Sequence, residues 1–310
     1  MSKNVQDEKK ANMQTNLLLL LVAIIWGFGF VAQRLGMEHL GPFSYNGIRF
    51  ILGGTCLLPL ALRSQGTRFL PQHRFIHPLL AGLAAGALLF IAATFQQIGL
   101  QYTTAGKAGF ITGIYVVFVP LIGLFLGKKC NTGTWLGVGL AITGLYLLSI
   151  NENFTLHRGD SLELFGAFFW ALHVLALSYL SPRTSPIQLA MVQFYICGLC
   201  SLLIGIFFEH IAIENIRAAY YALLYGGIIS VGAGYTLQVV ASQKANPTHI
   251  AIFLSMESPF AALGGWLFLQ ETMSLRALSG CALMFMAILI SQLWPSRRFN
   301  MTDKRSSSLS

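Results

Sequence analysis

Residues 17–30 of this chain read LLLLLVAIIWGFGF, without a single charge, and the apolar stretch extends to about residue 34. A helix rises about 1.5 Å per residue, so about 20 such residues cross the 30 Å core of a bilayer. Lys9 and Lys10 precede the stretch, as charged residues precede the apolar part of a cleaved signal peptide, which is the alternative. Nine similar stretches follow, and they favour an uncleaved membrane helix.

The same pattern recurs along the whole chain. Hydrophobic residues make up 55% and charged residues 10% of the 310 positions, against about 25% charged in a soluble domain. The stretches are continuously apolar and about twice the length of a barrel strand, so they predict helices. We predict an all-α integral membrane protein with ten transmembrane helices, at residues 17–34, 43–62, 78–100, 104–127, 133–150, 161–181, 186–208, 219–242, 247–270 and 274–294.

The distribution of basic residues orients these spans, and it matters more than the net charge of +9. With the N-terminus in the cytoplasm, fourteen basic residues lie on the cytoplasmic side and only Arg34, Arg158, Arg217 and Arg276 on the other, as the positive-inside rule requires. We therefore expect cytoplasmic tails at residues 1–16 and 295–310, an inner-membrane location, and no nucleic acid as partner.

The chain contains an internal repeat. At a separation of 144 residues, identical residues pair as Trp26 with Trp170, Pro42 with Pro186, Phe50 with Phe194 and Gly54 with Gly198. At 143 residues, Ala108 pairs with Ala251, Phe110 with Phe253, Leu124 with Leu267, Phe125 with Phe268, Leu126 with Leu269 and Gly137 with Gly280. Each repeat, 17–150 and 161–294, holds five spans, and an odd number inverts the second. Inverted repeats are typical of secondary transporters, which bind substrate near the midplane between the repeats.

Several short motifs resemble the EamA-type permeases of the drug/metabolite transporter superfamily. Trp26-Gly27 is similar to the family's first helix and Arg49-Phe50 to its second. Residues 259–271, from a proline to LFLQE, resemble the end of its ninth helix, with Gln270 in place of a glycine. At the corresponding helix end in the first repeat, Lys128 stands where the family usually has an acidic residue. The resemblance implies a ten-helix permease, commonly an exporter of amino acids or related metabolites and sometimes an importer of nutrients or an exchanger of nucleotide-sugars.

Two charged residues inside the spans are candidate substrate ligands, because a charge at the bilayer centre costs about 2.5–3.5 kcal/mol. Glu257 lies about 15 Å into its span, where it should face a cavity, pair with a cation or be protonated. The alternative is a structural carboxyl group braced by Ser255 and Ser258. Arg49, about 9 Å deep, either binds a substrate carboxylate or snorkels to the outer interface. We expect Lys107, one turn inside its span, to snorkel.

The remaining candidates are uncharged or aromatic. His173 lies near the midplane, one turn after Trp170, whose repeat counterpart is Trp26; each lines the cavity or simply packs. Two polar stripes at i, i+3 and i+7 line either a cavity or an interhelical seam. They are Thr94, Gln97 and Gln101 on the third span, and Tyr235, Gln238 and Ser242 on the eighth.

These features predict a secondary transporter, most simply an exporter of an amino acid or related compound that works by alternating access. Within transport, the alternative is a facilitative importer or an exchanger. If the protein does not transport a solute, the alternative is a membrane enzyme or a scaffold. We find no zinc-protease, hydrolase or nucleotide-binding motif, and therefore expect no catalysis, metal or cofactor. The expected partners are a small solute, protons as a coupling ion, and the lipid bilayer. The cysteines, including Cys197 and Cys200, predict packing and no redox chemistry.

Overall fold

The computed structural model describes residues 3–63, 75–127, 130–149, 158–272 and 274–293, and this part of the chain is almost entirely helical. Eight segments are long and apolar enough to cross a membrane: Met13–Gly36, Pro42–Arg63, Pro78–Gly99, Ala105–Phe125, Arg158–Arg183, Pro186–Phe208, Tyr220–Ala241 and Pro247–Phe268. Two shorter apolar helices, Thr132–Leu147 and Leu275–Ile290, lie where the fifth and tenth spans are predicted. The predicted helical membrane class is confirmed.

The helices are numbered in chain order. They are α1 (Lys3–Gly36), α2 (Pro42–Arg63), α3 (Pro78–Gly99), α4 (Ala105–Gly113), α5 (Tyr115–Phe125), α6 (Thr132–Ser149), α7 (Arg158–Leu180), α8 (Pro186–Phe208), α9 (Ile213–Ala218), α10 (Tyr220–Leu224), α11 (Thr236–Ala241), α12 (Pro247–Leu254), α13 (Glu257–Phe268) and α14 (Leu275–Leu293). A π-helical stretch, Tyr225–Tyr235, joins α10 to α11. Helices α2, α3, α8 and α12 begin with proline, whose fixed φ and missing N–H suit a first helical position.

Two spans that the sequence predicts as continuous are broken near their middle. The fourth is divided at Ile114 into α4 and α5, and the ninth at Ser255 and Met256 into α12 and α13. Pro259 accounts for the second break, because it has no N–H for the carbonyl of Ser255, which instead accepts from Ser258 N at 3.1 Å. The carbonyl of Ile114 similarly accepts from Val117 N at 2.9 Å. Each break is one tight turn within the span.

Helices from the two predicted repeats pack against each other throughout. Helix α2 lies along α8, α3 along α7 and α8, α6 along α14, and α1 along α13. Glycine permits a close approach between α1 and α13: a Cβ on Gly27 would lie 2.8 Å from the carbonyl oxygen of Glu257. Large apolar side chains such as Phe125, Phe208 and Leu275 point outward from the bundle, as expected of a lipid-facing surface.

Two carboxylates link helices of the two predicted repeats by capping helix N-termini. Glu209, just after α8, accepts from the backbone N–H groups of Phe43 (2.9 Å) and Ser44 (2.7 Å) at the start of α2. Glu271, just after α13, accepts from the N–H of Ala105 at the start of α4 at 2.9 Å. The first N–H groups of a helix have no partner within it, and a carboxylate satisfies them and favours the helix dipole.

Candidate functional site

A small cavity lies between the two predicted repeats. Its volume is about 20 Å³, enough for about one water molecule, so the site is contracted around its lining side chains. Both repeats contribute residues, and the spans interrupted at Ile114 and Ser255 both reach it. The lining residues are Trp26, Phe30, Gln33, Arg49, Gln96, Thr112, Tyr115, Trp170, Val174, Ser230, Tyr235, Gln238, Leu254 and Glu257.

Three aromatic rings form one part of the cavity wall. The Tyr235 ring centroid lies 4.4 Å from that of Trp26 and 5.9 Å from that of Trp170, and the two indoles are 6.5 Å apart. The Trp26 indole is held in place because its Nε1 donates to the carbonyl of Ser230 at 3.3 Å and because Gly234 leaves room beside it. Trp26 and Trp170, which the sequence repeat relates, thus meet in one aromatic cluster with Tyr235.

A chain of amide hydrogen bonds fixes the second indole. Trp170 Nε1 donates to Gln96 Oε1 at 2.8 Å, and Gln96 Nε2 donates to Gln33 Oε1 at 3.1 Å. Gln33 in turn donates to the carbonyl of Gly29 at 3.1 Å. These bonds cross from α7 to α3 to α1, and buried amides that are paired in this way hold the wall rigid.

Glu257 is the carboxyl group of the cavity. It begins α13 directly after the break and is 4% exposed, and its Oε1 has no hydrogen-bond partner among the described residues. The expected alternative, bracing by Ser255 and Ser258, does not occur. Each serine donates its single hydroxyl hydrogen to a backbone carbonyl, of Ile252 and of Gly109 respectively. The carboxyl oxygen is therefore available to a ligand.

Arg49 supplies the opposite charge to the same lining. It is 1% exposed and does not snorkel to the interface, which excludes that alternative. Its Nε donates to Asn46 Oδ1 at 2.9 Å and its Nη2 to Gln97 Oε1 at 3.4 Å, while its guanidinium lies 4.9 Å from the Phe50 ring centroid. In the described part of the chain, Arg49 forms no ion pair with a carboxylate. These two bonds use two of the five N–H groups of the guanidinium, so further donors remain for a substrate anion.

Other predicted residues lie near the cavity without all lining it. Tyr235 and Gln238 line it, whereas Gln97 contacts Arg49 behind the wall. His173 is fully buried beside Trp170, with its Nε2 3.0 Å from Gln193 Oε1, and it is absent from the lining. The other stripe residues, Thr94, Gln101 and Ser242, also lie outside the lining.

Sequence reasoning missed several lining residues and a buried charged cluster. Gln33, Gln96, Thr112, Tyr115 and Ser230 line the cavity, and only their placement in three dimensions distinguishes them from other polar residues of the spans.

The missed cluster includes an ion pair. Lys107, which we expected to snorkel, pairs with a carboxylate: its Nζ lies 2.7 Å from Oδ2 of Asp160, a side chain that is 1% exposed. Glu163, one turn further along α7, is fully buried. Glu163 lies only two residues inside the predicted sixth span, 161–181, so the depth argument that selected Glu257 does not select it, and only the packing shows that it is buried.

The ion pair gives a stability prediction. Removing one partner of a buried pair leaves the other charge uncompensated, which costs about 3–5 kcal/mol; because Lys107 is 25% exposed, we expect about 2–3 kcal/mol for Lys107→Met. The double variant Lys107→Met/Asp160→Asn should recover most of that loss, since neither charge remains. Thermal unfolding of the purified variants in lipid measures this effect, and an unchanged midpoint for Lys107→Met would contradict the pairing.

Comparison with known proteins agrees with this architecture. The sequence profile of the EamA-like transporter family matches residues 13–150 and again 157–293. An Archaeoglobus fulgidus protein named an uncharacterized transporter is 30% identical over 91% of this chain and 86% of its own length. The Bacillus subtilis transporter YoaV, also named as uncharacterized, is 22% identical over 90% of this chain and 97% of its own. A WAT1-related chloroplastic protein of Arabidopsis thaliana is 25% identical over 87% of this chain and 67% of its own.

A solved crystal structure also shares the fold. It superposes with a TM-score of 0.74 at 16% sequence identity, covering 91% of this chain and 97% of the other. The family profile covers nearly the whole chain in two consecutive matches, and the relatives align along most of its length. The apolar helices are those of a multi-pass membrane protein. The chain therefore belongs to the EamA-like transporter family and is a membrane transporter of the EamA type.

Proposed function

We propose that the protein is a secondary transporter that exports an amino acid or a closely related zwitterion across the inner membrane. One observation carries the proposal: Glu257 and Arg49, of opposite charge and without an ion pair in the described part of the chain, line one cavity. Two unpaired charges buried in a membrane protein are costly, and a ligand that carries both opposite charges compensates both at once.

The chemistry of the wall assigns each part of such a solute to a place. The ammonium group pairs with Glu257 and lies against the electron-rich faces of Trp26 and Tyr235. The carboxylate accepts from the guanidinium of Arg49, which suits it because a guanidinium presents its donors in a planar fork. An apolar side chain then packs on the remaining ring, that of Trp170. Admission of such a solute requires the cavity of this contracted state to widen.

We further propose ten transmembrane helices arranged as two inverted repeats, residues 17–150 and 161–294, with cytoplasmic tails at residues 1–16 and 295–310. Equivalent helices of the two predicted repeats make equivalent contacts, which supports this arrangement. Helix α1 packs on α13, and its counterpart α7 packs on α4 and α5. Helix α3 packs on α8, and its counterpart, the π-helical stretch, packs on α2. The two family matches support the repeat, and the basic residues support the orientation. Rocking of one bundle against the other would give alternating access.

The driving force proposed is an ion gradient, since the sequence has no nucleotide-binding motif. A facilitative importer or exchanger is the second candidate, because the same cavity serves either direction. A membrane-embedded enzyme or scaffold is the candidate outside transport. The two unpaired charges argue against a scaffold, because a purely structural protein does not require costly buried charges. We also propose that the protein is not an enzyme.

The test is uptake into proteoliposomes across a panel in which each amino acid is paired with its decarboxylated amine. We expect saturable uptake of at least one amino acid, with its amine about 10–100-fold weaker because Arg49 then has no anion to bind. Arg49→Gln should remove this preference by weakening the amino acid alone. Equal uptake of acid and amine by the wild-type protein, or an unchanged preference in the variant, would contradict the assignment.

A further inference from the structure

A second buried carboxyl group lies directly behind the cavity wall. Glu163 of α7 is fully buried, and its Oε2 accepts from the hydroxyl of Thr112 at 3.0 Å. Thr112 is itself a lining residue of the cavity. The other oxygen of Glu163, Oε1, has no hydrogen-bond partner among the described residues. One hydroxyl therefore separates this carboxyl group from the substrate cavity.

The groups around Glu163 leave its charge uncompensated. Asp160 on the same helix is paired with Lys107 of α4, so the lysine charge is already neutralised. Glu257 of α13 is the other nearby titratable group with which Glu163 interacts, and its charge has the same sign. Helix α3 packs closely against the carboxyl group at Gly99, where an added Cβ would lie 3.1 Å from Oε1.

A proton is the ligand that this environment fits. An ionised carboxylate without a cation partner is expensive in a membrane interior, and bonding one proton to it removes the charge in a very small volume. A metal ion needs several ligands, and no group of three or more His, Cys, Asp or Glu side chains in the described part of the chain forms such a site.

We propose that Glu163 is a proton-binding site separate from the substrate cavity, and that Thr112 transmits its state to the cavity. A threonine hydroxyl has one donor hydrogen and two acceptor lone pairs. While Glu163 is ionised, Thr112 donates to it and presents only a lone pair to the cavity. When water on one side delivers a proton, a carboxylic O–H bond forms and donates to Thr112, whose own hydrogen turns towards the cavity. Release of the proton to water reverses the change.

The first test reads the proton directly and needs no substrate. The full-length protein in lipid is titrated from acidic to alkaline pH while infrared difference spectra follow the stretching band of protonated carboxyl groups. We expect one pH-dependent band to disappear in Glu163→Gln and to persist in Glu257→Gln. Thr112→Val should shift that band by removing its hydrogen bond, and Thr112→Ser should leave it in place. A spectrum unchanged by Glu163→Gln, or a Glu163 band without pH dependence, would overturn the proposal.

The second test asks whether the site couples the proton to transport, and it rests on the proposed transport function. With the best substrate of the panel, Glu163→Gln should lose the stimulation of uptake by an imposed pH gradient and keep substrate exchange at equal pH. Full gradient stimulation in Glu163→Gln would overturn the coupling. If the wild-type protein transports nothing on the panel, the proposed function fails, while the infrared result still supports or overturns proton binding at Glu163.

Discussion

Replacing Glu257 with glutamine is expected to lower the affinity for a zwitterionic substrate by about 100-fold. Truncating one member of a buried charge pair costs about 2–5 kcal/mol, and 3 kcal/mol corresponds to about two powers of ten in affinity. Glutamine keeps the shape of the side chain, so the loss reports the charge. The Oε1 of Glu257 has no bond to a described residue, so the substitution breaks none that involves this atom. Concentration dependence of uptake or exchange in proteoliposomes measures the change.

Two variants control for this prediction. Glu257→Asp keeps the charge on a shorter stem and should lose less affinity than Glu257→Gln. Glu214→Gln removes one carboxylate from an exposed position on α9 and should leave affinity unchanged, because α9 contributes no lining residue. Equal affinity of wild-type protein and Glu257→Gln would show that the carboxyl group does not bind the substrate.

Adding one methyl group at Gly27 is expected to destabilise the protein strongly. In Gly27→Ala the new Cβ would lie 2.8 Å from both the carbonyl oxygen of Glu257 and the carbonyl carbon of Phe260, and closer still to Cβ of Phe260. These atoms belong to or adjoin the backbone of α13, so no side-chain rotation relieves the contact. Overpacking of this kind costs about 1–3 kcal/mol, and we expect the upper end of that range.

Denaturation of the purified variant in lipid measures the loss, and Gly29→Ala is the matched control on the same helix. A Cβ on Gly29 would meet nothing closer than Ser230 Oγ at 3.4 Å, an ordinary contact, so we expect a change within about 0.5 kcal/mol. Since α13 begins with Glu257, separation of α1 from α13 should also weaken substrate binding in Gly27→Ala. Equal stability of the two variants would contradict the close approach of these helices.

The spans could be predicted because continuous apolar stretches of this length rarely occur outside membrane helices. Their interruptions could not, because they depend on which backbone groups bond at a given turn. Pro259 indicates in the sequence that one backbone carbonyl lacks its usual helical N–H partner. No proline gives a corresponding signal for the break at Ile114. The left-handed residue Gln270 (φ 56°) was partly foreseeable, since the family pattern has glycine there and its repeat counterpart Gly127 also has positive φ (75°).

The cavity was partly predictable for a similar reason. Arg49 and Glu257 are rare residue types at membrane depth, and the pairing of Trp26 with Trp170 followed from the repeat, so these residues drew attention without a structure. Gln96 and Gln97 differ by one position, about 100° around a helix, and only packing determines which of them faces the cavity. Because the polar stripes were predicted from spacing alone, they included Gln97 and missed Gln96.

The carboxylate caps formed by Glu209 and Glu271 bear on which side the substrate-free transporter opens to at rest. Their repeat counterparts, at separations of 144 and 143 residues, are Gln65 and Lys128, neither of which is an acid, so the sequence does not repeat these two carboxylates at the other end. The observed caps on the starts of α2 and α4 lie together at one end of the protein. In the proposed orientation this is the outer end. Because of these caps, the closed outer end should be more stable than a closed inner end. The unloaded carrier should therefore rest open towards the cytoplasm, the side from which an exporter takes its substrate.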